Sequence, residues 1–301
     1  MDHKRRNTAI ILIDLNQVMI GALMLSINKK TEEIDENLIR HIVLNTLRSY
    51  VKQYRTKYGE VIICADSHHY WRKDVFPNYK ANRKRVRDES KLDWSLIFDS
   101  LSKIKNELKA NSPYKVIDVD GAEADDIIAT LVFDWCDGNI FDGADRTDDP
   151  VLIISSDEDF LQLLINDKIE QFSPRLKQYI NVENPNRFLK EHIIRGDSGD
   201  GVPNILSDDD VFIKRERQKP VSKEKLNKWL DTINMEEVFT PEIMLHYLRN
   251  TELIDLHCIP DELQEKIRIE VAKPKVGSRQ KMLEYMIEHK MKQLIPLLDE
   301  F

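Results

Sequence analysis

The sequence predicts an α/β fold, with a mainly parallel central sheet flanked by helices and a smaller helical region towards the C-terminal end. Three observations carry that expectation. Short apolar runs alternate with segments of helical periodicity as far as Asp200, which is the signature of βαβ units. Three of these runs give way to aspartate, in LID, CAD and ISSDED. Beyond Asp200 charged helical segments take over, with loop signals at Lys219-Pro220, Thr240-Pro241 and Ile259-Pro260.

Ala9 to Ile13 is a buried-strand run that ends at Asp14. Asn37 to Tyr54 sets Leu38, Ile42, Val43, Leu47 and Val51 at helical spacing. Val61 to Ala65 is a second strand, ended by Asp66, and a polar, basic segment from Trp71 to Lys91 follows it. Trp94 to Leu108 is a helix with Leu96, Ile97, Leu101, Ile104 and Leu108 on one face. Lys115 to Val119 is a third strand, Glu123 to Phe133 a helix, Val151 to Ser155 a fourth strand and Ile169 to Phe172 a fifth. The insert Asp137 to Pro150 lacks the Gly and closing Glu of a calcium loop and reads as a solvated surface loop. Along the chain, residues 1–200 form the α/β domain and 201–301 the helical region.

The chain of 301 residues, 41% of them hydrophobic, is long enough for one large domain or two unequal ones. Cys64, Cys136 and Cys258 are far apart and odd in number, as expected of thiols in a reducing compartment. No run approaches the roughly 20 apolar residues of a membrane span, so an intracellular protein is expected. The net charge of −8 argues mildly against a nucleic-acid binder, unless carboxylates gathered for metal ions hide a basic face elsewhere.

A single aspartate at a strand end is ordinary helix punctuation. Three strands sending carboxylates to one edge of a parallel sheet is costly, because like charges repel unless a cation neutralises them. GAEADD adds Glu123, Asp125 and Asp126 on the first turn of a helix that opens at the same edge. RGDSGD adds Asp197 and Asp200 in a Gly-rich turn. Asp14, Asp66, Glu123, Asp125, Asp126, Asp157, Asp159, Asp197 and Asp200 thus predict an all-oxygen metal pocket. With no His or Cys among them, Mg²⁺ or Mn²⁺ is favoured over zinc. A pocket this acidic can hold two ions, which suits phosphodiester hydrolysis with water as nucleophile.

The segment WRKDVFPNYKANRKRVRDESK interleaves Arg72, Lys73, Lys80, Arg83, Lys84, Arg85, Arg87 and Lys91 with Trp71, Phe76 and Tyr79. Most such runs are solvated helix faces. Aromatics among cations directly after a site aspartate suggest instead an element that grips a nucleic-acid backbone and stacks on bases.

The ordered set LID, CAD followed by WR and FPNYKANR, GAEADD, SSDEDFLQL and RGDSGD resembles the flap-endonuclease family of 5′ nucleases. Within it, the length, the ending and the diverged region after Asp200 are most similar to the T4-type bacteriophage RNase H branch. The resemblance implies a PIN-like 5′ nuclease fold and an Mg²⁺-dependent 5′-3′ exonuclease and flap endonuclease. Such enzymes remove RNA primers from lagging-strand fragments, acting on DNA and RNA/DNA duplexes with 5′ ends or flaps. It further implies a monomer in the host cytoplasm, with a single-strand DNA-binding protein and a sliding clamp as candidate partners.

Carried over residue by residue, Asp14, Asp66, Asp125 and Asp157 serve a first ion, with Glu123 bound directly or through water. Asp159, Asp197 and Asp200 serve a second, and Asp126 assists either. Lys80 and Arg83 hold the scissile or 5′ phosphate at the base of an arch, with Arg72 as a neighbour and Tyr79 as a stacking residue. Lys84, Arg85, Arg87, Lys275 and Arg279 complete the expected nucleic-acid contacts. The sequence departs from the family after Asp200, where NILSDDDVFIKRERQKPVS replaces the Gly-rich hairpin and Lys-Thr-Ala helix that bind duplex phosphates around K⁺. Lys214, Arg215, Arg217 and Lys219, with KPKVGSRQK (Lys273 to Lys281), are the candidate substitutes. The ending PLLDEF reads as a terminal helix or a sliding-clamp peptide.

Two rival readings use the same residues. A PIN-like single-strand ribonuclease has a similar acidic edge, but the long basic segment and the second acidic turn favour the 5′ nuclease. A non-catalytic replication or junction-binding scaffold would bind phosphates better without the carboxylates.

Overall fold

IILID has every side chain buried and forms β1 (Ile10–Asp14) of a six-stranded sheet. The computed structural model describes residues 9–27, 35–90, 92–136 and 149–301. Lys91 and residues 137–148 of the Asp137–Pro150 insert lie outside these. Packing divides the chain into two units. The first comprises Met1–Ser67, Asp93–Asn181 and Glu262–Phe301, the second His68–Leu92 and Val182–Asp261.

In the first unit β1 is followed by α1 (Leu15–Ile27), α2 (Glu36–Tyr58) and β2 (Glu60–Ala65). The sequence reading did not find α1. LNQVMIGALMLSI is apolar around its whole circumference, so it shows no helical period against the strand before it. Asp35 caps α2 by accepting the Leu38 N–H, and Gly59 ends it at φ 77°.

β2 is buried after its first residue, and its β-branched VII core suits a strand covered on both faces. Of the next elements, α5 (Trp94–Asn111), β3 (Lys115–Asp118), α6 (Ala124–Cys136), β4 (Val151–Ile154) and β5 (Ile169–Ser173) match expectation within a few residues. A sixth strand, β6 (Gln178–Ile180), pairs antiparallel with β5; three residues are too short for a period-2 signal. The sheet order is β3-β2-β1-β4-β5-β6, with every other pair parallel. The fold is therefore the expected mainly parallel α/β sheet. The helices α11 (Asp261–Ala272) and α12 (Arg279–Glu288), and a final 3₁₀ turn at Ile295–Glu300, complete this unit.

The second unit joins α3 (Arg72–Val75) and α4 (Ala81–Asp88) of the basic segment to α7 (Pro185–Arg195), α8 (Val211–Lys214), α9 (Lys223–Asp231) and α10 (Pro241–Ile254). One core cluster gathers Phe76, Tyr79, Ile193, Val202, Leu253 and Ile254. Another joins Ile194 and Ile205 to Trp229, Leu230 and Phe239. Among the described residues no helix is long and apolar enough to cross a membrane.

Candidate active site

The strand order reverses between β1 and β4, and an open α/β sheet forms its ligand crevice at the carboxyl ends beside such a reversal. Asp14 is the last residue of β1 and Asp66 directly follows β2. Asp157 and Asp159 follow β4, and Glu123, Asp125 and Asp126 open α6. The first unit thus brings seven of the nine predicted carboxylates to the C-terminal edge of its sheet.

Asp14 is 5% exposed. Its Oδ1 accepts the Gln17 N–H of α1 at 3.1 Å, and its Oδ2 accepts the Ser155 hydroxyl at 2.9 Å. Burial, with Asp66 and then Asp157 nearby, pushes its carboxyl up to about 7. Asp66 accepts the Ala124 N–H at the start of α6 and the Asn16 side-chain amide, both at 2.7 Å. Asp157 accepts the Asp159 N–H at 3.1 Å and so caps the 3₁₀ turn Glu158–Leu163, whose Phe160 and Leu163 are buried. The turn is shorter and tighter than an α-helix, so DED serves as helix punctuation as well as a carboxylate source.

Asp126 is fully buried, and one of its oxygens accepts the Glu123 N–H at 2.9 Å, the reciprocal half of a capping box. Beneath the site, the Cys64 thiol is buried and pushed far up by burial, Asp14 and Asp125, which keeps it protonated. Lys105 sets a buried ammonium 2.5 Å from Asp118 and 3.5 Å from the Asp66 carbonyl oxygen. Sequence reasoning missed Asn16, Ser155 and Lys105. SSDED held a signal for Ser155, a hydroxyl beside two carboxylates; Asn16 and Lys105 acquire partners only through folding.

The second unit organises the remaining predicted residues around the 197–201 turn. Gly196 is at φ 67°, and a Cβ there would lie 2.4 Å from the Val202 oxygen, so only glycine fits. Asp197 Oδ1 accepts the Gly199 and Asp200 N–H groups, and burial and Asp200 push its carboxyl up against an opposing effect of His192. Asp200 accepts the Tyr79 hydroxyl at 2.7 Å and pairs with Lys80 at 3.4 Å and with Arg83. Burial raises the Asp200 carboxyl, but Lys80 and Arg83 outweigh it and hold it below the usual range. Asp200, expected as a metal ligand, pairs with two cations in this structure.

Two further predicted residues are buried in the fold. Tyr79 is 3% exposed and lies in a core cluster with its hydroxyl on Asp200. Arg72 is equally buried and donates to the Leu253 carbonyl at 2.9 Å. Lys80, at φ 57°, starts α4 and donates its backbone N–H to the Asp200 carbonyl at 2.6 Å. Arg83 remains 45% exposed at its side chain, and Lys84 is exposed beside it. Arg85 lies 3.8 Å from Glu89, one turn on. Lys275 and Arg279 belong to the first unit and are engaged away from the carboxylates. Lys275 pairs with Glu60, at the opposite end of β2 from Asp66, and Arg279 reaches the Phe301 and Asp299 carbonyls. PLLDEF is docked as the terminal 3₁₀ turn, with Glu300 paired to Arg48 and Lys52 of α2 and Phe301 fully buried.

A mainly parallel sheet whose carboxyl edge gathers seven carboxylates at its topological switch point is the arrangement expected of a metal-dependent nuclease. Residues 9–193 match the model of the 5′-3′ exonuclease N-terminal resolvase-like domain, and residues 186–301 that of the T4 RNase H C-terminal domain. The chain is 31% identical over 302 residues to ribonuclease H of Enterobacteria phage T4, covering 97% of this chain and 95% of that protein. It is 30% identical over 143 residues to the flap endonuclease Xni of Shewanella sp. (strain MR-4), 45% of this chain and 48% of that one. A crystal structure of the bacteriophage T5 flap endonuclease with DNA and metal ions superposes with a TM-score of 0.63 at 17% identity, over 87% of this chain and 97% of that one. The protein belongs to the 5′-3′ exonuclease family, in its T4 ribonuclease H branch, and is a phosphodiester hydrolase.

Proposed function

We propose that the protein is an Mg²⁺-dependent 5′-3′ exonuclease and structure-specific flap endonuclease. It removes RNA primers from lagging-strand fragments during phage DNA replication. The observation that carries this reading is the gathering of Asp14, Asp66 and Asp157 at one sheet edge, where burial first and then the charges of Asp66 and Asp157 push Asp14 up to about 7. The donors proposed for the first ion are all oxygen and Cys64 stays protonated, which fits a hard divalent ion better than zinc.

In this reading Asp14, Asp66, Asp125 and Asp157 hold a first Mg²⁺, with Glu123 direct or through water, and Asp159 begins a second position. Mn²⁺ substitutes. When bound, such ions neutralise charge at the scissile phosphate and activate water. The chain's own part is orientation. Gln17 and Ser155 fix both oxygens of Asp14, and Asn16 and the α6 terminus fix those of Asp66. Asp14 must release its proton before it can ligate, so metal binding strengthens as pH rises towards and past about 7.

Within the second unit, Asp197 is the carboxylate available to a cation, and Asp200 holds Lys80 and Arg83 ready for a phosphate. Residues 1–200 supply the chemistry, and Lys214, Arg215 and Arg217 of the region 201–301 contribute duplex contacts. DNA and RNA/DNA duplexes with 5′ ends or flaps are the substrates, bound by a monomer. PLLDEF packs as a terminal turn through the buried Phe301.

The test incubates purified protein with 5′-labelled flap, nicked-duplex and single-stranded oligonucleotides, with and without Mg²⁺. Cleavage near the flap junction that requires Mg²⁺ is expected, and Asp157→Asn abolishes it while sparing DNA binding. Cleavage confined to single strands would favour the ribonuclease reading instead.

A further inference from the structure

Gln171 was not among the residues that the sequence singled out, and it neither ends a strand nor belongs to an acidic motif. It lies in the middle of β5, opposite Ile153 of β4 in the ladder and fully buried. The ladder between these strands ends at Ile154 and Phe172, with a last bond from the Ser155 N–H to the Phe172 carbonyl at 3.2 Å. Beyond that point the chain turns away to present Asp157, and its carbonyls leave the sheet. The Gln171 side chain takes up two of them. Its Nε2 donates to the Ser155 carbonyl at 3.1 Å and to the Asp157 carbonyl at 2.6 Å.

Both amide hydrogens are therefore spent on the one turn that carries Asp157 and the Asp14 partner Ser155. The opposite end of the amide shows why a polar residue is there. Gln171 Oε1 is buried with no hydrogen-bond partner among the described residues. A buried acceptor without a partner is costly, and an apolar side chain of the same size would avoid that cost. Turning the amide over would set its oxygen against two carbonyl oxygens. The two donors are what the site retains.

We propose that Gln171 is a positioning residue for the metal centre: it clamps the Ser155–Asp157 turn and so fixes the direction of the Asp157 carboxylate. The inference rests on the metal-site reading above, and residues that orient metal ligands typically govern affinity by about 10–100-fold. Gln171→Met keeps length and volume but donates nothing. Gln171→Glu places an acceptor against both carbonyls.

The experiment measures Mn²⁺ affinity of the folded, DNA-free protein by calorimetry or electron paramagnetic resonance. It compares wild type, Asp157→Asn, Gln171→Met and Gln171→Glu. Gln171→Met is expected to weaken Mn²⁺ binding about tenfold or more, and Gln171→Glu further. A role in packing alone would lower the melting temperature of the metal-free protein and leave metal affinity unchanged. Wild-type affinity in Gln171→Met, with loss in Asp157→Asn, would overturn the inference and leave the metal site standing. Wild-type affinity in Asp157→Asn would overturn both. Should Gln171→Met fail to fold, Gln171→Asn, whose amide is one methylene too short to span both carbonyls, is read in the same way.

Discussion

At Asp14 two demands meet on one side chain. The residue ends a buried strand, where burial and the charges of Asp66 and Asp157 favour the neutral acid, yet a metal ligand must be ionised. The sign of the resulting pH dependence follows. The folded-state value, about 7, lies above the ordinary 3.8, so the metal-free fold binds a proton between these limits that the unfolded chain does not. Stability of the metal-free protein from this group therefore rises as pH falls from about 7 towards 3.8, and is lost as pH climbs back through 7. A series of melting temperatures in chelator at pH 5 to 8 should show this slope in the wild type. Asp14→Asn should flatten it.

Elements are held in place by a different cluster, remote from the acidic edge. Arg40 of α2 is fully buried and forms a bidentate pair with Glu107 of α5, both bonds at 2.8 Å. Tyr285 of α12 donates to the same carboxylate at 2.6 Å, so three helices from three stretches of the chain share one ion pair. Burial raises Glu107, but Arg40 and Tyr285 outweigh it and keep its carboxyl below the ordinary 4.5. This contribution is complete above pH 4.5 and disappears as pH falls through the lowered value, opposite in sign to Asp14. Arg40→Met leaves Glu107 without its charged partner and should cost about 3 kcal/mol in denaturant unfolding. It should also blunt the loss of stability on acidification. Unchanged unfolding would mean that α2, α5 and α12 are held by apolar contacts alone.

For the whole molecule, the location of cations matters more than their number. The net charge of −8 falls on the first unit, while the second is balanced, its basic segment from Arg72 to Lys91 offset by carboxylates in residues 182–261. Lys275 and Arg279 look no different in sequence from Arg83. The fold gives them partners at Glu60 and at the carbonyls of Asp299 and Phe301, whereas Arg83 is fixed to Asp200 with nearly half of its side chain in solvent. Replacing Lys275 and Arg279 together by alanine should leave flap cleavage within about twofold, while Arg83→Ala should slow it about tenfold or more. Equal losses in the two variants would mean that Lys275 and Arg279 also contact substrate.

The alternation of apolar runs and helical periods determined the parallel sheet, and the aspartates at its strand ends determined where a site would open. Both are local signals, written in consecutive residues. Helix α1 and strand β6 escaped because one is apolar all round and the other is only three residues long. Along the chain, composition suggests a boundary at residue 200. Packing instead interleaves the units, setting Phe76 and Tyr79 of the basic segment into one core with Ile193, Val202 and Leu253. That core buries Tyr79 and sets its hydroxyl on Asp200, which also pairs with Lys80 and Arg83. It was Gln171, more than ten residues from Ser155 in sequence, that closed the turn under Asp157. Such assignments depend on which side chains long-range folding brings within hydrogen-bond reach, and neither spacing nor periodicity encodes that.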